Sequence, residues 1–211
     1  MRLPSLLLAA ALCWSASPAS FADLLAVRGE TVYTSAGEPL APGVVLIEGG
    51  TITAVGLASE IEIPEGAPVL EAAVVTPGLI DARSTVGFSG FLNQSHDQDQ
   101  LERSSPIQPE LRAIDAYNAR ERLIEWVRGF GVTTLHTGHG PGAVISGQTL
   151  IVKTRGETVG DAVMVESAMV AATLGESAQQ GDGGPSSWPG TRAKAAALLR
   201  AELLEAQHYA A

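Results

Sequence analysis

Val74-Val75-Thr76-Pro77-Gly78-Leu79-Ile80-Asp81 is an apolar run that leads into a polar tip, and the grammar of the chain changes across it. Before it, β-favouring runs at residues 24–28, 44–48, 51–55, 60–63 and 69–70 are separated by Gly, Pro and Ser clusters. Gly49-Gly50 joins two of them with the two-residue signal of a hairpin, whose central residues favour positive φ. Residues 23–75 therefore read as a small all-β unit.

After it, strands alternate with helices. A polar loop over residues 84–117 is too long for a mere connection, which marks it as a functional segment or a lid. Asn118 starts a helix as an N-cap residue, with Glu121 three positions on as in a capping box. Leu123, Ile124, Val127 and Phe130 fall on one helical face, and Gly131 can close the helix in the left-handed conformation. Residues 131–136 form a second strand candidate and 150–153 another. Strand, helix, strand is the βαβ pattern of a parallel sheet, so the fold class is α/β. Residues 175–189 are a Gly, Ser, Gln and Pro-rich loop. Thr191 then caps a helix that carries Ala195, Leu198, Leu199 and Leu203 and runs to Tyr209. No internal repeat is present.

The N-terminus, residues 1–22, reads as a signal peptide. Arg2 supplies the positive start, residues 6–14 the short apolar core, and Ser20-Phe21-Ala22 the small residues of a cleavage site after Ala22. The apolar core falls short of the roughly 20 residues that span a bilayer, and no later run replaces it. Cys13 follows Leu12 where a lipidated cysteine needs a small neighbour. It is the chain's one cysteine, so the exported part has no disulfide, no thiolate nucleophile and no Cys-ligated metal. Export without disulfides points to a bacterial periplasm or to secretion.

With 13 Lys+Arg against 23 Asp+Glu, the net charge is −10. Phosphate neutralisation needs the opposite balance, which excludes nucleic acid and anionic membrane surfaces as partners. The 45% apolar and 17% charged residues describe a folded chain.

Val75-Thr76-Pro77-Gly78-Leu79-Ile80-Asp81-Ala82 resembles a segment of the amidohydrolase superfamily, in particular its imidazolonepropionase-like group. Val45-Leu46-Ile47-Glu48-Gly49-Gly50-Thr51-Ile52 resembles the hairpin that precedes the barrel in those enzymes. Pro109-Glu110-Leu111-Arg112, Gly131-Val132-Thr133-Thr134 and Ser146-Gly147-Gln148 resemble later segments, in the same order. The resemblance implies a small β-sandwich portion at 23–75. It implies the first part of a TIM-like (β/α)8 barrel at 76–211. The implied chemistry is metal-activated hydrolysis of non-peptide C–N bonds, in which a divalent ion such as zinc lowers the pKa of bound water. The implied partners are a small-molecule amide or cyclic-amide substrate and a complementary half-barrel chain. A closed barrel takes about 250 residues, so the expectation is an incomplete barrel, incomplete or inactive as this chain alone.

In the family the first barrel strand ends in His-x-His, both histidines ligating the metal; here those positions are Arg83 and Thr85. Arginine stays charged at any accessible pH. At about 4 Å, a guanidinium and a divalent ion repel by roughly 8 kcal/mol at an effective dielectric of 20. The expectation is no metal ligand and no cofactor for this chain. The alternative is a non-catalytic exported binding or interaction module on the same scaffold.

Several polar residues remain as substrate-contact candidates. His136 and His139 lie at the end of the second strand candidate, where barrel enzymes place their chemistry; ordinary loop histidines are the competing reading. His96, Asp97 and Asp99 could ligate a cation or touch substrate, or belong to a solvated loop. Ser146 and Gln148 bracket a glycine that could form a backbone cradle for an anion, or simply a turn. Arg83 could bind an anionic ligand or sit in an ion pair.

Overall fold

The computed structural model describes residues 24–92, 94–179 and 188–211. The signal-peptide reading of residues 1–22 lies outside them. The chain divides into two compact units, one up to Pro77 and one over Gly78–Ala211.

The first unit is a four-stranded sheet of β1 (Leu24–Val32), β2 (Gly43–Glu48), β3 (Thr51–Leu57) and β4 (Val69–Val75), in the order β3-β2-β1-β4. β1, β2 and β3 form an antiparallel meander, and β4 returns to pair with β1 in parallel, from Ala26 with Val69 to Val32 with Val75. Gly49 and Gly50 take φ of 56° and 77°, the geometry of the expected hairpin turn. Among the described residues of this unit, Ala26, Val32, Val44 and Val45 are the buried apolar ones.

One expected strand is absent. The amides of Glu60 and Ile61 both donate to the Leu57 carbonyl, so the chain turns instead of extending. Ile61 folds back over Gly56, where a Cβ would lie 2.9 Å from its Cγ1, and Pro64 follows at once.

The deciding run of the sequence is split by the structure. Val74 and Val75 end β4, whereas Leu79 opens β5 (Leu79–Ser84) of the second unit. Pro77 has no N–H for either ladder and restricts Thr76, which explains the interruption.

In the second unit β5 leads through the long loop to α1 (Arg122–Gly129) and then to β6 (Val132–Thr137), which pairs with β5 in parallel. This is the expected βαβ step. β7 (Ile145–Gln148) and β8 (Leu150–Lys153) follow, then α2 (Val159–Ala162), β9 (Val163–Val165), β10 (Val170–Ala172) and α3 (Arg192–Ala210). The main sheet has the order β5-β6-β8-β9, with β8 and β9 antiparallel, so it is mixed and not wholly parallel. β7 and β10 form a separate two-stranded ladder.

Phe88, Ala113, Tyr117, Ile124, Leu135, Leu150, Val152 and Ala162 build the core against the main sheet. A second cluster joins Val144, Ile145, Ala178 and Ala195, where Leu198 and Leu199 seat α3. Thr191 caps that helix as expected, accepting from the Lys194 amide at 3.2 Å. The expected capping box at Asn118 does not form. Asn118 instead accepts from the Arg120 amide through its Oδ1, at 3.0 Å, and Glu121 is itself the N-cap residue of α1, with its side chain turned elsewhere.

Candidate functional site

The C-terminal ends of β5 and β6 carry the buried polar residues Ser84, Thr137 and His139. Their register slips between Asp81 and Ser84, which removes carbonyls of the β5 tip from the regular ladder. Side chains take over those carbonyls, because an unpaired buried carbonyl is costly. His136 on β6 faces the Ala82 carbonyl through Nδ1 at 2.8 Å. A carbonyl only accepts, so Nδ1 carries the proton there. Its Nε2 lies 2.7 Å from Thr149 Oγ1. Thr137, fully buried, donates its hydroxyl to the carbonyls of Val86 at 2.7 Å and Ser84 at 3.3 Å.

Arg83 reaches the same place from β5. Its Nη1 donates to the Ser84 carbonyl at 2.7 Å and its Nη2 donates to the His139 carbonyl. The residue is exposed overall, yet partial desolvation of the guanidinium lowers its pKa. It remains a cation. Both nitrogens hold backbone carbonyls and no carboxylate.

His139 is buried, with its ring 5.9 Å from that of Phe88 and its Nδ1 without a hydrogen-bond partner. Burial, and next the Arg83 charge, lower its pKa from 6.5, against opposing pulls from Asp99 and Glu102. The unfolded chain then takes up the proton first. The stability contributed by the neutral ring is complete above about 6.5 and is lost as pH falls through that value toward the lower folded-state pKa. Between about pH 7 and 5, the unfolding midpoint of the wild type is expected to fall relative to that of His139→Phe. Midpoint curves that stay parallel would show that the imidazole does not report its burial in this way.

The acidic candidates lie on the loop after β5. Asp97 and Asp99 line a cavity of about 30 Å³ together with Gly87, Phe88, Gly90, Asn118 and Glu121. That space suits about one water molecule. Both aspartates and His96 are exposed, His96 within a single 3-10 turn, Ser95–Asp97. Glu121, which the sequence marked only as a helix cap, is the buried carboxylate of the region. It accepts from the Gly87 amide and, at 3.4 Å, from the Ser89 hydroxyl. Burial raises its pKa and the bonds from Gly87 and Ser89 pull it back. Nearby Tyr117 is pushed up to about 12, by burial first and by Glu121 second.

Ser146 and Gln148 lie in strand β7, not in a turn. The Gln148 amide donates to the Leu111 carbonyl at 2.7 Å and its Nε2 to the Pro109 carbonyl at 3.2 Å. Ser146 is buried with its hydroxyl unpartnered. These groups hold residues 107–112 against β7, through bridges from Ile107 to Ile145 and Arg112 to Gln148. The structure thus brings Arg83, His136 and His139 together, and places Ser146 and Gln148 in a different strand pair. Sequence reading missed Thr137, Thr149 and Glu121, whose partners lie far away along the chain and leave no local pattern.

The divalent metal implied by the resemblance does not fit these residues. A guanidinium occupies the β5 tip, Thr85 offers one neutral oxygen, and both nitrogens of His136 are engaged. Among the described residues no group of three His, Cys, Asp or Glu side chains could hold an ion. No helix among them is long and apolar enough to cross a membrane.

The structure is similar to that of an amidohydrolase from Thermotoga maritima MSB8, with a TM-score of 0.80 and 24% sequence identity over 88% of this chain and 48% of that one. Local likenesses extend to molinate hydrolase, with 28% identity over 31% of this chain and 15% of that one and a TM-score of 0.29. Another is N-acetyl-D-glucosamine-6-phosphate deacetylase from Mycobacterium smegmatis, with 25% identity over 55% and 24% and a TM-score of 0.33. No protein-family model and no curated protein matches the chain. The resemblance read from the separated motifs is borne out at the level of the fold. The chain spans about half the length of the Thermotoga protein.

Proposed function

We propose, on the premise of an amidohydrolase fold, that this is an amidohydrolase-like protein of the class that hydrolyses non-peptide C–N bonds, and that the chain alone does not carry that reaction. The observation that carries the first half is the likeness to the Thermotoga amidohydrolase over 88% of this chain. The second half is supported by Arg83 and Thr85, which stand where the resemblance places two metal ligands. The substrate class that goes with the reading is a small-molecule amide or cyclic amide. The missing metal ligands and catalytic acid of such a reaction belong to a complementary half-barrel. Export to the periplasm, with a mature N-terminus at Asp23, completes the proposal.

The test is to express the full chain in a bacterial host, recover it from the periplasmic fraction, and assay cyclic amides and acyl dipeptides with and without added zinc. The expected result is an N-terminus at Asp23 and no turnover in either condition. Zinc-dependent turnover abolished by His136→Ala would overturn the inactivity of the lone chain, and an uncleaved cytoplasmic product would overturn export.

A further inference from the structure

We propose that Arg83 is the resident cation of the strand-end site, standing in for a metal ion and clamping the tip of β5 to the loop after β6 through backbone carbonyls. The inference uses the proposed function only for the place of the metal; the clamp itself is drawn from contacts within this chain.

Side chains take up four carbonyl oxygens around the ends of β5 and β6, those of Ala82, Ser84, Val86 and His139. Each is the negative end of a peptide dipole, and the slipped register deprives the β5 tip of ordinary ladder partners. Neutral donors serve three of them: His136 covers Ala82, and Thr137 covers Val86 with a longer contact to Ser84. Arg83 takes the Ser84 carbonyl at the shorter distance and the His139 carbonyl, with two nitrogens of one planar fork aimed at carbonyls from different parts of the chain. The His139 carbonyl is the distant one, 56 positions along the sequence.

For the Ser84 and His139 oxygens this arrangement does what a bound ion would do, with a cation that cannot dissociate. It also closes the site to a divalent ion. Gly138 and Gly140 flank His139 and give the loop no side-chain anchors of their own, so the guanidinium joins the buried His139 ring in tying that segment. Thr149 packs against Gly138, where a Cβ would lie 3.0 Å from its Cγ2, and the Gly140 amide donates to the Gln100 carbonyl at 2.5 Å. Arg83 thereby links β5, the loop after β6 and, through Gly140, the acidic loop.

Two measurements on the full chain test the clamp. In the first, the wild type is incubated with zinc, desalted and analysed for metal, and its unfolding midpoint is compared in zinc and in EDTA. No stoichiometric zinc and equal midpoints are expected; about one ion per chain with a raised midpoint would overturn the proposal. In the second, hydrogen exchange is followed over residues 138–142 in Arg83→Met. Loss of charge-assisted bonds to two carbonyls is expected to speed exchange there by about tenfold or more, while β1 to β4 keep their protection. Unchanged exchange at 138–142 would equally overturn it. Neither readout involves turnover, so a failure of the functional reading and a failure of the clamp are separate results.

Discussion

Gly147→Ala is expected to destabilise the second unit by about 2–6 kcal/mol, the combined range for a strained backbone and an overpacked contact. Gly147 has φ +110°, a region that side chains rarely tolerate, and an added Cβ would lie 2.5 Å from the Leu111 carbonyl oxygen and 3.1 Å from its carbonyl carbon. The obstacle is backbone, so no rotamer change relieves it. Neither wall can retreat easily. The Leu111 carbonyl accepts from the Gln148 amide at 2.7 Å, and the opposite edge of β7 is paired with β10. The measurement is urea unfolding of the wild type and variant. A loss below about 1 kcal/mol would mean that residues 109–112 do not lie against β7 as described.

Leu135→Ala is expected to cost about 2–5 kcal/mol, the usual span for a large-to-small change in a packed core. Leu135 is fully buried and lies in the cluster with Phe88, Tyr117, Ile124, Leu150 and Val152. It pairs with Asp81 on one side and Val152 on the other, so a cavity there sits between the parallel and the antiparallel halves of the main sheet. Its sequence neighbours His136 and Thr137 carry the links to the β5 tip, and their protection from hydrogen exchange should fall with it. Leu203→Ala, on a part of α3 that leaves this side chain 57% exposed, should stay within about 0.5 kcal/mol of wild type. Equal effects of the two substitutions would contradict the division between core and surface drawn here.

Local chemistry was readable wherever the deciding partner was near in sequence. Gly49-Gly50 needs only its own two residues to make a turn, Gly131 only its own positive φ of 86° to end α1, and Thr191 only an amide three residues on. Glu121 shows why this fails at longer range. Its spacing from Asn118 fits a capping box, but its carboxylate is drawn to the Gly87 amide on the loop after β5, and the helix starts after it. Residues 60–63 have a strand's composition, yet Gly56 leaves room for Ile61 to fold back, and the turn wins. Strand direction was equally hidden: the periodicity of β8 is the same whether it runs with β6 or against it.

The candidate site divides along the same line. The motif order pointed to the ends of β5 and β6, and the resemblance pointed to Arg83 and Thr85 there. What the guanidinium binds followed from neither. An arginine between an alanine and a serine carries no sign that its partner is a carbonyl beyond a long loop, and residue type alone favoured a carboxylate or an anion. At Ser146 and Gln148 the turn reading failed for a related reason. A glycine between two polar residues suggests a turn, whereas here it permits a close crossing of two extended segments.

The parallel pairing of β1 with β4 also sets an order of assembly. As the chain emerges from the ribosome, β1, β2 and β3 can close as a meander of neighbours once Leu57 is free. The far edge of β1 must wait for Val69–Val75. Joining Ala26 to Val69 closes a larger loop at greater entropic cost than the hairpin at Gly49-Gly50. Until then the inner strand of the finished sheet is an outer one, open to any passing strand. The pairing of this unit that closes the largest loop is therefore that of β4, and the β1 edge stays unpaired until it forms.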